Sequence, residues 1–498
     1  MPGAAGREAS VPGTRAYTIA AAMRKPDRTT YCGPSPPGYD PSHANRPRSV
    51  FDPGWLRTGA RAPGAPSRMS AETAGTDPSD ASARRRALHV ILLVAFVDLI
   101  GFGLILPLQA VYAKRLGATG LTFGLLVGAY AVMQLLFNPI LGRWSDRVGR
   151  RRVLLLSIGG SVASHVLLGV ADLAHSLPLL FLARILDGIT GANVTTAQAY
   201  IADVTEDEDR ARGMGLFGAA FGMGFVVGPA LAALLAAVGT RVSGEATGTS
   251  WPAFGAACIS ACALYFVWRY LPESRRPGAA LRAVYGLSLR GLRRVMAHHR
   301  FRELLTLVFS ATFAFVLLEV TLVYLCMGSL GVSASGSGLV FAYFGVVMAC
   351  VQGGLVGRLA SRFGEPRVLS VAPFLTAIGF VILAGVSMAS TRSIAWTLLL
   401  IGCLPTVLGH GLTGPNLNAM VSRQAAEDRQ GETLGISQGI GSLARALAPP
   451  VGGWLYDRGP SWPYMVGAVL LVGIGAFALR VRRRHEDILR NAKRSTVA

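Results

Sequence analysis

The sequence predicts an all-α membrane protein in which twelve transmembrane helices form two related six-helix bundles. Apolar stretches of about 20 residues, the length that spans a bilayer, recur along most of the chain. The composition agrees, since 51% of the 498 residues are hydrophobic, 15% are charged and the mean hydropathy is +0.44. Arginine and lysine concentrate in alternate loops, which is the distribution that marks the cytoplasmic side of a membrane protein.

The formal charge of +21 does not indicate nucleic-acid binding, because the basic residues lie mainly in short loops and tails where membrane topology accounts for them. The six cysteines show no metal-ligand spacing and mostly lie in apolar stretches, so neither a disulfide framework nor a metal site is expected. No phosphate-binding loop or Ser/His/Asp catalytic set is evident. We therefore expect no cofactor, and a multispan membrane enzyme is only a remote alternative.

Residues 1–83 are predicted to form a disordered N-terminal extension. They are rich in Pro, Gly, Ala, Ser and Arg and cannot bury enough apolar surface to fold. Met69 begins a stretch that resembles a natural start, so we expect residues 1–68 not to belong to the working protein. The three arginines 84–86 directly precede the first apolar stretch and place that end in the cytoplasm.

Residues 84–271 form the first predicted six-helix bundle, and residues 301–480 form the second. A basic cytoplasmic linker, 272–300, joins them, and a basic cytoplasmic tail occupies 481–498. The predicted helices are 88–112, 121–142, 153–172, 177–202, 212–237, 251–271, 301–327, 337–358, 368–388, 393–420, 432–456 and 461–480. An even number of spans places both termini in the cytoplasm.

The two halves contain related motifs. The loop 357–364 after the eighth predicted helix is a partial copy of the loop 142–151 after the second, with Ser361 at the position of Asp146. Many secondary transporters are built from repeated halves that alternate access to a substrate site near the membrane midplane. The repeat therefore favours a transporter over a channel.

The loop between the second and third predicted helices combines arginines with glycines and one acid. Anchoring at the cytoplasmic face explains the arginines, but it requires neither the glycines nor the acid. The predicted gating residues of this loop are Gly142, Asp146, Arg147, Gly149, Arg150 and Arg151.

Loop 142–151 resembles the signature between helices 2 and 3 of the major facilitator superfamily, and residues 184–192 resemble the superfamily's helix 4 motif. Residues 98–107 are similar to the helix 1 motif of its twelve-helix drug/proton antiporters. The spacing of the superfamily's helix 5 antiporter motif is found at Gly215, Gly224, Gly228 and Pro229. The likeness covers residues 88–480 and is greatest to bacterial tetracycline-resistance-type efflux proteins. It implies proton-coupled efflux of drugs or small organic compounds, and a metabolite or sugar carrier of the same superfamily is the alternative.

The resemblance implies that loop 142–151 meets the eleventh helix when the protein faces outward. An acid near a helix N-terminus is stabilising by about 0.3–1 kcal/mol. We therefore predict that Asp146 closes the inner gate by capping the eleventh helix near Glu432 and Thr433, while Arg147 and Arg150 position it. By resemblance, residues 202–205 also contribute to this gate.

The fifth predicted helix is rich in glycine, and small residues let membrane helices approach closely. We expect five of its glycines to leave one face nearly free of side chains and to seal the outer side when the protein faces inward. Ordinary tight packing is the alternative. The glycines are Gly215, Gly218, Gly222, Gly224 and Gly228.

Ionisable residues inside the spans mark a candidate coupling site, because a charge at the bilayer centre costs about 2.5–3.5 kcal/mol and needs a cavity or a partner. Asp98 lies near the midplane of the first helix, and Glu319 comes from the other half. Our hypothesis is that protonation and substrate binding compete at these two acids; the alternative is that the charges only hold helices together. The candidate residues are Asp98, Arg184, Asp187, Glu319, Arg445 and His410. Arg184 and Asp187 are three residues apart and can pair.

Tetracycline-type antiporters carry further carboxylates within helices 3 and 9. Here the third predicted helix has His165 near its middle, and the ninth has no acid. The expected substrate is therefore an amphipathic or apolar organic compound and not a metal–tetracycline chelate. We expect a monomer in the bacterial cytoplasmic membrane, with protons and the lipid bilayer as its other partners.

Overall fold

The computed structural model describes residues 78–274, 299–332, 334–424 and 430–497, whose regular secondary structure is entirely helical. The α-helices are α1 (Pro78–Arg115), α2 (Gly120–Val148), α3 (Arg150–Leu173), α4 (Leu177–Thr190), α5 (Asn193–Val204), α6 (Asp207–Gly248), α7 (Trp251–Tyr270), α8 (His299–Ser329), α9 (Ala334–Cys350), α10 (Val356–Phe363), α11 (Glu365–Ala384), α12 (Arg392–Gln424), α13 (Gln430–Arg458) and α14 (Trp462–Val497). A π-helix, Val351–Leu355, joins α9 to α10, and a 3-10 helix, Gly385–Met388, follows α11. The predictions for residues 1–77 and for linker residues 275–298 lie outside the described residues.

The predicted all-α membrane fold is confirmed. Within the described residues, eleven helical segments are long and apolar enough to cross a membrane. Two of these segments each combine two helices: α4 with α5, and α9 with α10. The predicted eleventh span corresponds to α13, which has 29 residues but is more polar, with Ser437, Gln438, Ser442 and Arg445 along its length. Helices satisfy their own backbone hydrogen bonds, which a chain in lipid requires.

The two ends of the helix bundle differ in their content of arginine. One end, the basic end, carries the arginine-rich segments 84–86, 143–152, 358–367 and 482–484. The opposite end, the distal end, contains the connections 115–120, 173–177, 388–392 and 458–462.

Among the described residues, two helix pairs make the most extensive contacts between the halves. α2 lies against α13, and α6 lies against α9. Within the halves, α1 packs on α6 and α7, and α11 packs on α12 and α14. Smaller contacts of α8 with α1 and α2, and of α9 with α1, also join the halves.

At the distal end the halves touch backbone to backbone. A Cβ atom added to Gly124 of α2 would overlap the carbonyl group of Pro449 in α13. On the other side, a Cβ added to Gly338 of α9 would lie 2.6 Å from the carbonyl oxygen of Pro229 in α6. Such approaches are possible only without a side chain, so these glycines close the distal end.

An apolar cluster fills the distal end between the halves. Phe123 of α2 stacks on Tyr324 of α8 with ring centroids 5.1 Å apart, and Tyr324 meets Tyr456 of α13 edge-on at 5.6 Å. The same cluster contains Leu108 of α1 and Ala448 of α13, both buried. Aromatic packing of this kind excludes water, so it seals the distal end.

Toward the basic end, glycines of α6 and of the segment that joins α9 to α10 have open space beside them. Among the described residues, nothing lies within 4 Å of a Cβ built on three glycines of α6 or on three of that segment. These are Gly215, Gly218, Gly222, Gly353, Gly354 and Gly357. From the contrast with the close distal contact of Gly338, we infer that a cleft between the halves opens toward the basic end.

The expectation of a single glycine face on this helix is wrong. Gly224 and Gly228 approach Leu99 and Gly103 of α1 inside the first half, whereas the other three glycines have open space beside them among the described residues. With 3.6 residues per turn, positions 224 and 228 fall nearly opposite positions 215, 218 and 222. One face of α6 therefore packs within the first bundle, and the opposite face does not.

Candidate functional site

Asp98 lies on α1 with its carboxylate buried. Its Oδ2 accepts a 2.7 Å hydrogen bond from Asn193 Nδ2, and the same amide lies 3.4 Å from Ser161 Oγ of α3. Asn193 is the first residue of α5, since the helix is interrupted at residues 191–192 after α4. Among the described residues, the interruption therefore supplies the one hydrogen-bond donor to the Asp98 carboxylate.

Asp98 also lines a small, water-sized pocket between α1, α3, α5 and α6. Apart from Asp98 and Asn193, every residue that lines it is apolar. Among the described residues, no basic side chain forms an ion pair with Asp98. A carboxylate buried without a cation is costly, so Asp98 has the setting of a group that accepts a proton.

Arg184 and Asp187 form the pair that their spacing predicts. Arg184 Nη1 donates to Asp187 Oδ2 at 2.7 Å, and both side chains are almost fully buried. The guanidinium lies over the ring of Tyr130 at 4.2 Å from the centroid, and it therefore links α4 to α2. The Tyr130 hydroxyl in turn accepts a 3.0 Å hydrogen bond from Gln134 Nε2. Arg184 Nε has no partner among the described residues.

Glu319 and Arg445 belong to the second half. Glu319 of α8 is half-buried, and Arg445 of α13 is exposed, with its Nη2 donating to Ser442 Oγ at 3.1 Å. Glu319 and Arg445 interact electrostatically, and Arg445 also lies within electrostatic range of Tyr130 in the first half. Tyr130 thus contacts Arg184 of its own half and lies within electrostatic range of Arg445 of the other.

The two histidines inside the spans have packing partners. The His410 ring stacks on Phe315 with centroids 3.4 Å apart, inside the second half. His165 Nδ1 lies 3.2 Å from Ser260 Oγ of α7 and within electrostatic range of Arg184 and Asp187. His165, which was not among the predicted coupling residues, thus lies near the Arg184–Asp187 pair.

Asp146 takes part in a buried network at the basic end. Arg150 Nη2 lies 2.6 Å from Asp146 Oδ1, and Arg150 Nε donates to Asp203 Oδ2 at 3.1 Å. Arg150 Nη1 also donates to Ser145 Oγ. The network ties the α2–α3 turn to the end of α5, the segment that resemblance placed near this gate. That Asp146 caps α13 stays a prediction, because the Glu432 side chain lies outside the described residues.

Glu273 caps the N-terminus of α3. Its Oε1 accepts from the backbone N–H of Arg150 at 2.8 Å, and its Oε2 accepts from that of Arg151 at 3.2 Å. Gly149, the residue between α2 and α3, has φ +105°, and a Cβ there would overlap the Glu273 carboxylate. Only glycine fits this turn. The Arg151 side chain donates to the carbonyl oxygen of Trp268 in α7, while Arg147 is exposed.

The sequence patterns did not predict the contacts of Asn193, Tyr130 and Glu273. Nor did they predict those of Asp457, whose carboxylate accepts hydrogen bonds from the backbone N–H groups of Gly120 and Leu121. The small residues 191–192 inside a predicted span were the available signal for Asn193, because they mark a helix interruption. Glu273 and Asp457 follow the last apolar residue of their helices and looked like ordinary loop acids. Their partners lie 123 and 337 positions away, beyond the reach of local patterns.

The chain is similar to known transport proteins over most of its length. A family model described as Major Facilitator Superfamily matches residues 91–449 and 304–497. The tetracycline resistance protein class C of Escherichia coli is 32% identical over 407 residues, which cover 77% of this chain and 94% of that protein. Multidrug resistance protein 2 of Bacillus subtilis is 28% identical over 398 residues, covering 78% and 94%.

Solved structures give the same fold. The human organic anion transporter MFSD10 (TETRAN) is 25% identical with a TM-score of 0.57, covering 79% of this chain and 99% of that one. A bacterial homologue of the human lysosomal transporter Spinster is 17% identical with a TM-score of 0.65, covering 80% and 97%. The chain is a multi-pass membrane protein that belongs to the major facilitator superfamily of transporters.

Proposed function

We propose that this protein is a proton-coupled exporter of drugs or other small organic compounds that works by alternating access. The observation that carries the proposal is Asp98, a buried carboxylate in the first span with a neutral amide donor and no ion pair among the described residues. An intramembrane acid of this kind marks a proton or substrate pathway. The tetracycline and multidrug resistance proteins that the chain resembles support export as the direction.

Asp98 and Glu319 exchange the driving proton. Arg184 and Asp187 neutralise each other. Arg184 lies over the ring of Tyr130, and Tyr130 is within electrostatic range of Arg445 in the other half. Substrate that enters the cleft displaces the proton, and protonation from the other side displaces the substrate. His410, stacked on Phe315, shapes the lining on the second half.

The basic end faces the cytoplasm, as the positive-inside rule requires, and the protein lies in a bacterial inner membrane with both termini inside. In this orientation the closed distal end and the open space beside the glycines toward the basic end support an inward-facing state. Two bundles, 84–271 and 301–480, move about the substrate as a monomer, with the linker 272–300 between them. No enzyme activity or resident cofactor is needed for this cycle.

The substrate is bulky and mostly apolar or amphipathic. Aromatic side chains lie beside the candidate coupling residues. The ring centroids of Phe102 and Tyr130 are 6.4 Å apart, and Phe315 stacks on His410. In α3 the single acid, Asp172, lies near the distal end and pairs with Arg115, so it is not available to a metal chelate at the midplane. These aromatic contacts and the pairing of Asp172 therefore support apolar drugs over metal-bound tetracycline.

Drug-susceptibility profiling of a pump-deficient bacterium tests the proposal. Cells that express the chain should tolerate several amphipathic drugs, and Asp98→Asn should abolish this resistance at equal expression. Glu303→Gln is the matched control, because this acid pairs with Arg484 near the basic end, outside the coupling site. Resistance to no compound, together with proton-coupled uptake of a sugar or metabolite, would establish the carrier alternative instead.

A further inference from the structure

Asp457, the penultimate residue of α13, bonds across the boundary between the halves at the distal end. Its Oδ1 accepts a 2.6 Å hydrogen bond from the backbone N–H of Gly120, and its Oδ2 accepts a 2.8 Å bond from that of Leu121. Both donors belong to the first turn of α2. A carboxylate from the second half therefore caps a helix of the first half.

This cap completes the hydrogen bonding of the α2 N-terminus. The first four N–H groups of a helix have no partner within it. Here Phe123 N makes the first regular helical bond, to the carbonyl oxygen of the N-cap residue Thr119, and Thr122 N donates to Thr119 Oγ1. The N–H groups of Gly120 and Leu121, which come before them, donate to Asp457.

The cap exists only while the distal end is closed. Gly453 lies one turn before Asp457, and a Cβ added to it would overlap the carbonyl group of Gly120. Opening the distal end must separate α2 from α13 at this point and break both hydrogen bonds. Water can replace the lost acceptor, but it carries no charge to interact with the helix dipole.

We propose that Asp457 is a positioning residue that stabilises the distal-closed state of the transport cycle. It acts as a removable N-cap, present when the cleft faces the basic end and absent when it faces the distal end. The glycines at 120, 124 and 453 allow the backbone approach that brings the carboxylate within reach. This assignment is independent of the substrate and of the coupling ion.

Distance measurements between the halves test the role of Asp457. Nitroxide labels at Val242 and Leu339, both exposed near the distal end on opposite halves, report its opening by pulsed electron paramagnetic resonance in lipid nanodiscs. The chain used lacks its native cysteines. Loss of an N-cap acceptor typically changes an equilibrium about fivefold, so Asp457→Ala should raise the ratio of distal-open to distal-closed protein by about that factor.

Three controls make the result specific. Arg458→Gln changes the neighbouring charge, whose guanidinium stacks on Trp454, and should leave the distances unchanged. Asp457→Asn keeps an acceptor oxygen and should restore most of the closed population. A label pair at Arg152 and Phe363 should show the basic end closing as the distal end opens.

An unchanged distance distribution in Asp457→Ala, or a larger closed population, would overturn the proposal. If that variant does not fold, Gly453→Ala makes the same test, because its added Cβ separates the backbones at the same point. Closed distal ends in this second variant would also overturn it. The measurement needs no drug and no proton gradient. An unchanged distance distribution would therefore not contradict the exporter proposal, and a lack of drug resistance would not contradict the role of Asp457.

Discussion

Replacing Asp187 by asparagine would remove the negative half of a buried ion pair. Arg184 Nη1 lies 2.7 Å from Asp187 Oδ2, and their side chains are 3% and 8% exposed. At this separation and an effective dielectric constant of about 20, the attraction between unit charges is about 6 kcal/mol. Desolvation offsets much of this attraction while the pair is intact. Breaking the pair leaves the Arg184 cation buried beneath Tyr130, which typically costs about 3–5 kcal/mol of unfolding free energy.

Reversible unfolding of the purified protein by SDS, followed by tryptophan fluorescence, measures this loss. Asp187→Asn should be strongly destabilised, whereas the double variant Arg184→Met/Asp187→Leu should recover most of the stability, because it leaves no unpaired charge. The double variant should nevertheless transport nothing if the pair takes part in coupling. Wild-type stability in Asp187→Asn would refute the burial argument, and transport by the double variant would reduce the pair to a structural role.

Three further predictions concern single contacts. Asn193→Leu removes the hydrogen-bond donor to Asp98. Since an unpaired buried acceptor costs about 1–3 kcal/mol, drug efflux from everted vesicles should fall about tenfold. Undiminished efflux would contradict the role of this amide. Glu273→Ala removes the cap of α3 and should lower unfolding free energy by about 0.5–2 kcal/mol, with Glu273→Gln closer to wild type in the same SDS titration. Gly124→Ala places a Cβ against Pro449 and should prevent distal closure. We expect a folded protein that does not transport and that shows a longer distance between labels at 242 and 339. Normal transport by this variant would be inconsistent with the closure role of Gly124.

Hydropathy was sufficient to place most of the spans, because a helix in lipid must be apolar over a fixed length. The predicted helices 121–142 and 153–172 lie inside α2 and α3. The ten-residue loop expected between them is reduced to Gly149, since both helices continue through charged residues at the basic end. Helical backbone bonding does not require apolar side chains, so hydropathy marks the membrane and not the helix end.

Contacts within one helix could also be predicted, as the Arg184–Asp187 pair shows. Contacts that depend on an interruption or on distant segments could not. Asn193 falls in the middle of a single predicted span, where an average over the window hides the break between α4 and α5. Asp457 lies one residue past the predicted end of its span, and its partners on α2 lie in the other half. Such contacts follow from the assembled fold and not from local sequence.

Substrate-induced proton release tests the central claim that Asp98 and Glu319 exchange protons for substrate. Detergent-solubilised protein in weak buffer is mixed with a drug to which the expressing cells are resistant, and the released protons are followed with a pH indicator. We expect release from the wild type, none from Asp98→Asn and a reduced amount from Glu319→Gln, with drug binding checked separately. Release at the wild-type level in both variants would show that these acids do not exchange protons for substrate.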